Sequence, residues 1–280
     1  MTLTLNQPLL IIGGSGFLGS ELVRQASAAG HRALATYATQ PNSKATAIAW
    51  LHLDLRDPSS IHTVLTQVKP GTIINASSGR ADWAITAEGP VHLAMAAAHH
   101  GARLVHVSSD AVFSGTSRTY YDESCRPDPV TPYGAAKAAA ETGTLAVHPQ
   151  AAVARTSLIF GPGAEHERLV HHLANGARDG ALYVDDVRCP VHVSDLAAAL
   201  LEIAAGGAAG ILHLAGPDAL TRHELGVLIA RRDGLDPARL LTARRADSPH
   251  PGALDVRLDS RATQQQLRTT LRGATEFLKP

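Results

Sequence analysis

The chain has 280 residues, 45% of them hydrophobic, which is ample core material for one large domain or two. Lys plus Arg and Asp plus Glu number 25 each, so the formal net charge is zero and there is no electrostatic case for a nucleic-acid or anionic-membrane partner. The opening MTLTLNQPLLIIGG carries an apolar run far too short for a bilayer and no basic segment before it, and Cys125 and Cys189 stand too far apart to form a ligand pair. A reducing, cytoplasmic location is the expectation.

Residues 9–19 read LLIIGGSGFLG: a short apolar run, then Gly13, Gly16 and Gly19. The run predicts a buried strand, and FLGSELVRQASAAG predicts a helix with one hydrophobic face. A strand, a glycine turn and a helix N-terminus form a cradle for the pyrophosphate of a dinucleotide, because backbone N–H groups and the helix dipole both favour an anion there. Gly13, Ser15, Gly16, Phe17, Leu18 and Gly19 are the candidate contacts.

HRALATY predicts the second strand. NAD-binding units of this type place an acidic residue about 20 positions beyond the glycines to take the ribose hydroxyls. No Asp or Glu stands between Glu21 and Asp54. A carboxylate that would repel a 2′-phosphate is therefore missing, and Thr36, Ser43 and Lys44 are candidates to bind one. NADP(H) is the expected cofactor, with NAD(H) the alternative.

IAWLHLDLRDP predicts a third strand ending near Asp54 and Leu55, SSIHTVLTQVKPG a helix closed by Pro-Gly, and TIINASSG a fourth strand. Ligands in open α/β sheets collect outside the C-terminal strand ends, which brings Asn75, Ala76 and Ser77 to the cofactor. PVHLAMAAAHHGA predicts a further helix, and RLVHVSS a fifth strand that delivers Ser109 to the same edge. Alternation at this rhythm predicts a doubly wound parallel sheet.

TPYGAAKAAAE holds Tyr133 and Lys137 on one face of an alanine-rich helix. An ammonium beside a phenol is expected to stabilise the phenolate and draw its pKa down from about 10. Arg155, in VARTSLIFGPG, reads either as a ligand for phosphate or carboxylate or as half of an internal ion pair.

GGSGFLG, the Ser109–Gly115 segment SDAVFSG, YGAAK and RTSLIFGPG occur in an order that resembles the extended short-chain dehydrogenase/reductase family, in its dTDP-4-dehydrorhamnose reductase-like branch. The resemblance implies a Rossmann-type core over residues 1–155, and over 156–280 a smaller substrate-binding part that also returns elements to the core. It implies Ser109, Tyr133 and Lys137 as the catalytic set, and Asp54 near the adenine, against a reading of Asp54 as a helix cap. Asp110, Val112, Phe113, Arg155 and Leu158 become substrate contacts; Leu158 stands where the family often has an aromatic residue, so the particular sugar is left open.

The implied activity is NADPH-dependent reduction of a keto group on a nucleotide-activated sugar. An epimerase or dehydratase of the same family and a non-catalytic NADP-binding regulatory subunit are the alternatives. Alanine-rich faces on the helices after strands four and five are compatible with a homodimer.

The second half reads as a turn- and histidine-rich stretch, then a helix in HVSDLAAALLEIAAGG capped by Ser194 or Asp195, a strand in GILHLAG and a helix opened by Thr221 and Glu224 at capping-box spacing. His166 and His171 are five apart, which puts them on different helix faces and argues against a metal site.

Overall fold

The structure is a computed structural model and describes residues 7–41 and 48–279. Seven parallel strands make the central sheet: β1 (Leu9–Ile12), β2 (Ala33–Tyr37), β3 (Ala49–His52), β4 (Thr72–Asn75), β5 (Arg103–Ser109), β6 (Ala152–Thr156) and β7 (Gly210–Leu214). Their order is β7-β6-β5-β4-β1-β2-β3. The order reverses at β1 and β4, and the C-terminal ends of these strands open the crevice in which such sheets bind ligands.

Both faces of the sheet are covered, which is why β1 reads as an unbroken apolar run. On one face, α1 (Phe17–Ala28) and α6 (Val193–Ala205) bury Leu22, Val23, Leu196 and Leu200 against Ile11, Val105 and Ala154. On the other, α2 (Pro58–Val68) and α3 (Gly89–His99) bury Ile61, Leu65 and Leu93 against Leu10, Ile73 and Leu104, and α4 (Pro132–Val147) packs beside α3.

α5 (Glu165–Ala174) and α7 (Arg222–Arg232) form a smaller core of their own around Phe160, Val170, Leu225 and Ile229. The chain leaves the main sheet after β6, returns through α6 and β7, and leaves again, so residues beyond 156 contribute to both cores. Thr221 caps α7 in a full capping box with Glu224.

Two caps differ from the sequence reading. α6 is capped by His192, whose ring accepts from the Ser194 N–H, because Asp195 is taken up by Arg272 at 2.8 Å. α2 is capped by Asp57, whose Oδ1 accepts from the Ser59 N–H at 2.8 Å, and not by Asp54. No helix among the described residues is long and apolar enough to cross a membrane.

Candidate active site

A cavity of about 440 Å³ opens at the crevice, lined by the glycine turn, by the ends of β4, β5 and β6, and by the first turn and a half of α4. Gly13 holds φ +75°, a conformation open to glycine at little cost, and its N–H donates to the Thr36 hydroxyl at 3.2 Å. α1 begins at Gly16 with no side-chain cap and no acidic residue in its first turn, so no side chain caps its leading N–H groups at the cavity wall. That donor set fits a phosphate.

Ser15, Gly16, Phe17 and Leu18 line the cavity with Gly13, as do Asp54, Leu55, Ala76 and Ser77. Gly19 does not: it lies against the Gly13 carbonyl and lets α1 pack on the turn. Asn75 is also absent from the wall. It is fully buried, and its Oδ1 accepts from the N–H and hydroxyl of Ser77 at 3.1 and 2.6 Å, so it shapes the loop in place of touching a ligand. Thr36 is 1% exposed and braces the turn, with Ala38 and Thr39 beside it on the wall. Ser43 and Lys44 lie outside the described residues.

Ser109, Tyr133 and Lys137 come together on one side of this cavity. The Ser109 hydroxyl lies 3.3 Å from Asp110 Oδ1 and accepts from the Ala111 N–H at 3.2 Å. Burial pushes the Tyr133 phenol above the usual tyrosine value; hydrogen bonds from Ser109 and from Ser78 pull it down, and the Asp110 charge pushes it up again. Ser78 escaped the sequence reading although it directly follows Ser77 in the same strand-end loop.

The expected ammonium effect on the phenol is not seen. Lys137 is fully buried and its Nζ donates to the Val107 carbonyl at 2.9 Å, and burial lowers its pKa to about 8 while the Glu141 carboxylate pulls upward. Desolvation therefore dominates at both residues.

The substrate-contact readings divide. Asp110 is buried beside the site and accepts from the Ser157 hydroxyl at 2.6 Å. Val112 and Phe113 are not wall residues. Both are fully buried, and Phe113 stacks on Tyr121 with ring centroids 4.1 Å apart, since the chain turns inward here to close the core under β7.

Arg155 is the internal ion pair. Its guanidinium meets Glu141 at 2.8 Å, also reaches the Cys125 carbonyl, and both side chains are 3% exposed, so no ligand can reach it. Glu141 stands four residues beyond Lys137 on α4, a spacing at which the sequence could have flagged it. Leu158 is half-buried and borders a second chamber of about 580 Å³, which shares Ile159 with the first.

The fold and this site together define an NAD(P)-dependent oxidoreductase of the extended short-chain dehydrogenase/reductase type. Comparison with known proteins narrows the class. The chain belongs to the family described as the RmlD substrate binding domain, whose model matches residues 7–279.

It is 31% identical over 264 residues to the dTDP-4-dehydrorhamnose reductase of Mycobacterium tuberculosis, covering 88% of this chain and 82% of that protein. It is 31% identical over 261 residues to a probable dTDP-4,6-dihydroxy-2-methyloxan-3-one 4-ketoreductase of Streptomyces antibioticus, covering 86% and 84%. Among solved structures it is similar to a hypothetical dTDP-4-dehydrorhamnose reductase from Sulfolobus tokodaii, at 27% identity and a TM-score of 0.82 over 95% of this chain and 97% of that one.

Proposed function

We propose that this protein reduces a keto group on a nucleotide-activated sugar with NADPH, using Ser109, Tyr133 and Lys137. The observation that carries the reading is the convergence of these three side chains on the cavity that the glycine turn also lines. Relatives named as reductases of dTDP-linked keto sugars support the substrate class.

The donors of the glycine turn and of the start of α1 suit the pyrophosphate, while Asp54, Leu55, Ala76 and Ser77 suit the nucleoside beyond it. Bound there, NADPH supplies a hydride to the carbonyl carbon. Preference for NADPH over NADH is supported by the stretch between Glu21 and Asp54, which carries no carboxylate to repel a 2′-phosphate.

The protein's own part is proton delivery and orientation. Ser109 donates a hydrogen bond to the substrate oxygen and Tyr133 gives it a proton, so the ketone becomes a secondary alcohol and the phenol regains its proton from solvent. Lys137, held by the Val107 carbonyl one helical turn from Tyr133, would hold the nicotinamide ribose and so orient the cofactor against the substrate carbonyl.

Incubation with a dTDP-4-keto-6-deoxyhexose is expected to consume one NADPH per alcohol formed, with NADH a poorer donor. Conversion of the sugar without net NADPH loss would point to an epimerase or dehydratase instead.

A further inference from the structure

Proton transfer from Tyr133 leaves a phenolate, and the site must hold that charge. Burial works against it, and so does the neighbouring Asp110 carboxylate. The ammonium of Lys137 is directed at the Val107 carbonyl at 2.9 Å. Two hydroxyls bear on the phenol in the favourable direction, those of Ser109 and Ser78.

The two hydroxyls are not equivalent. Ser109 accepts from the Ala111 N–H at 3.2 Å and has Asp110 Oδ1 at 3.3 Å as the resting acceptor for its own hydrogen, which turns to the substrate oxygen in the reaction. That hydrogen is engaged elsewhere when Tyr133 ionises. Ser78 accepts from the Arg80 N–H at 3.3 Å. A hydroxyl has one hydrogen and two lone pairs, so this contact leaves the Ser78 hydrogen for the phenol oxygen.

The loop that carries Ser78 is braced to keep it there. Arg80 holds φ +53°, a left-handed conformation that is costly for a residue with a Cβ, and its N–H thereby meets Ser78. Thr86, 1% exposed, donates to the Arg80 carbonyl at 2.9 Å and accepts from the Gly79 N–H at 3.2 Å, so one buried side chain ties both peptide groups. Thr86 lies in the π-helical turn Ala84–Glu88 that leads into α3, and Ile85 of the same turn lines the cavity with Ser78 and Tyr133. Backbone strain persists only where its surroundings over-determine it, and both it and π-helical turns gather at functional sites.

We propose that Ser78 is a further catalytic residue: its hydroxyl donates to the Tyr133 phenol oxygen and holds the phenolate that forms when the phenol proton passes to the substrate. The inference rests on the keto-sugar reading above. Ser78 itself gives up no proton. The O–H bond of Tyr133 breaks, the O–H bond of the product alcohol forms, and the hydride of NADPH goes to the carbonyl carbon. The hydrogen bond from Ser78 strengthens as charge grows on the oxygen that accepts it, so it favours the transition state over the ground state.

The test uses full-length protein with NADPH and a dTDP-4-keto-6-deoxyhexose. Ser78 is exposed, so its replacement should leave the fold intact. Ser78→Ala is expected to lower kcat by about tenfold or more, the size of one lost hydrogen bond to a charged group, with KM for both substrates within about twofold. Ser78→Thr keeps the hydroxyl and should return kcat to within about threefold of wild type. A loss in Ser78→Ala that falls on KM, an unchanged kcat, or equal losses in the two variants overturn the proposal.

A second measurement needs no substrate. Protein carrying difluorotyrosine in place of tyrosine, which brings the phenols down from about pH 10, is titrated by phenolate absorbance, and the Tyr133 curve is the difference from Tyr133→Phe. Ser78→Ala should move that curve up by about one pH unit, the equivalent of tenfold. An unmoved or lowered curve overturns the proposal. If the wild-type protein turns over no keto sugar, the functional reading falls, and the titration alone decides whether Ser78 holds the phenolate.

Discussion

The carboxylate of Glu141 and the guanidinium of Arg155 meet at 2.8 Å, both 3% exposed, directly behind the active-site edge of the sheet. Ser108 adds a hydrogen bond to the same carboxylate at 2.5 Å, so α4, β5 and β6 are joined by one buried charge cluster. Removing one member leaves the other charge stranded in a medium that solvates it poorly. Arg155→Met is expected to cost about 3–5 kcal/mol in urea unfolding. KM for substrate in whatever fraction folds should be unchanged, which separates this role from a direct ligand.

Gly134 adjoins Tyr133 and faces the 3₁₀ turn that follows Ser109. A Cβ built there would lie 2.0 Å from the Ala111 carbonyl oxygen, so α4 can approach the serine loop this closely only with glycine at that position. Gly134→Ala must push the helix away and widen the spacing of Ser109 and Tyr133. Displacement of a reacting group by about 1 Å costs on the order of a hundredfold in rate, so kcat should fall by one to two orders of magnitude. NADPH affinity, read by calorimetry, should change little.

Tyr133→Phe should leave the fold and NADPH binding intact and cut turnover by about 10²–10⁴-fold, the range for loss of a positioned proton donor. Lys137 predicts a pH effect. With its pKa lowered to about 8 by burial, the ammonium is present below that pH and lost above it. The kcat/KM profile, which reports the free enzyme, is expected to fall on the alkaline side near pH 8, and a profile flat through that region would remove Lys137 from the mechanism.

Three histidines, two buried and one half-buried, make stability acid-sensitive. His106 sits well below the ordinary imidazole value through burial and the Lys137 charge; burial first of all lowers His166 to about 3 and His213 to about 4. The unfolded chain protonates them near pH ~6.5, so between that pH and the folded values it binds more protons than the native state. Stability from these groups is therefore complete above about pH 6.5 and lost as pH falls, at up to about 1.4 kcal/mol per pH unit for each histidine. Thermal melts from pH 7 to 5 should show the decline, and His213→Gln should make it shallower.

Much of the architecture was legible before folding was considered. The apolar run at Leu9–Ile12, the glycines after it and the alternation of strand and helix patterns specify a doubly wound sheet, because period and turn chemistry are local properties of the chain. The placing of Tyr133 and Lys137 on one helix was visible for the same reason, as was the capping box at Thr221. By itself, then, the sequence determined which segments form the sheet and which strand ends and helix start line the cavity.

What it left open turns on contacts between distant segments. Whether Arg155 reaches a ligand depends on Glu141 from another element, and whether Phe113 faces a sugar depends on Tyr121 closing over it. Lys137 finds a carbonyl on β5 in place of a phenol four residues away. The ion pairs that run from Arg222 through Asp186 and Arg188 to Asp110 join residues more than a hundred positions apart. These were decided only in the tertiary structure, because burial fixes both the partner and the protonation of a polar group, and burial depends on how distant elements pack.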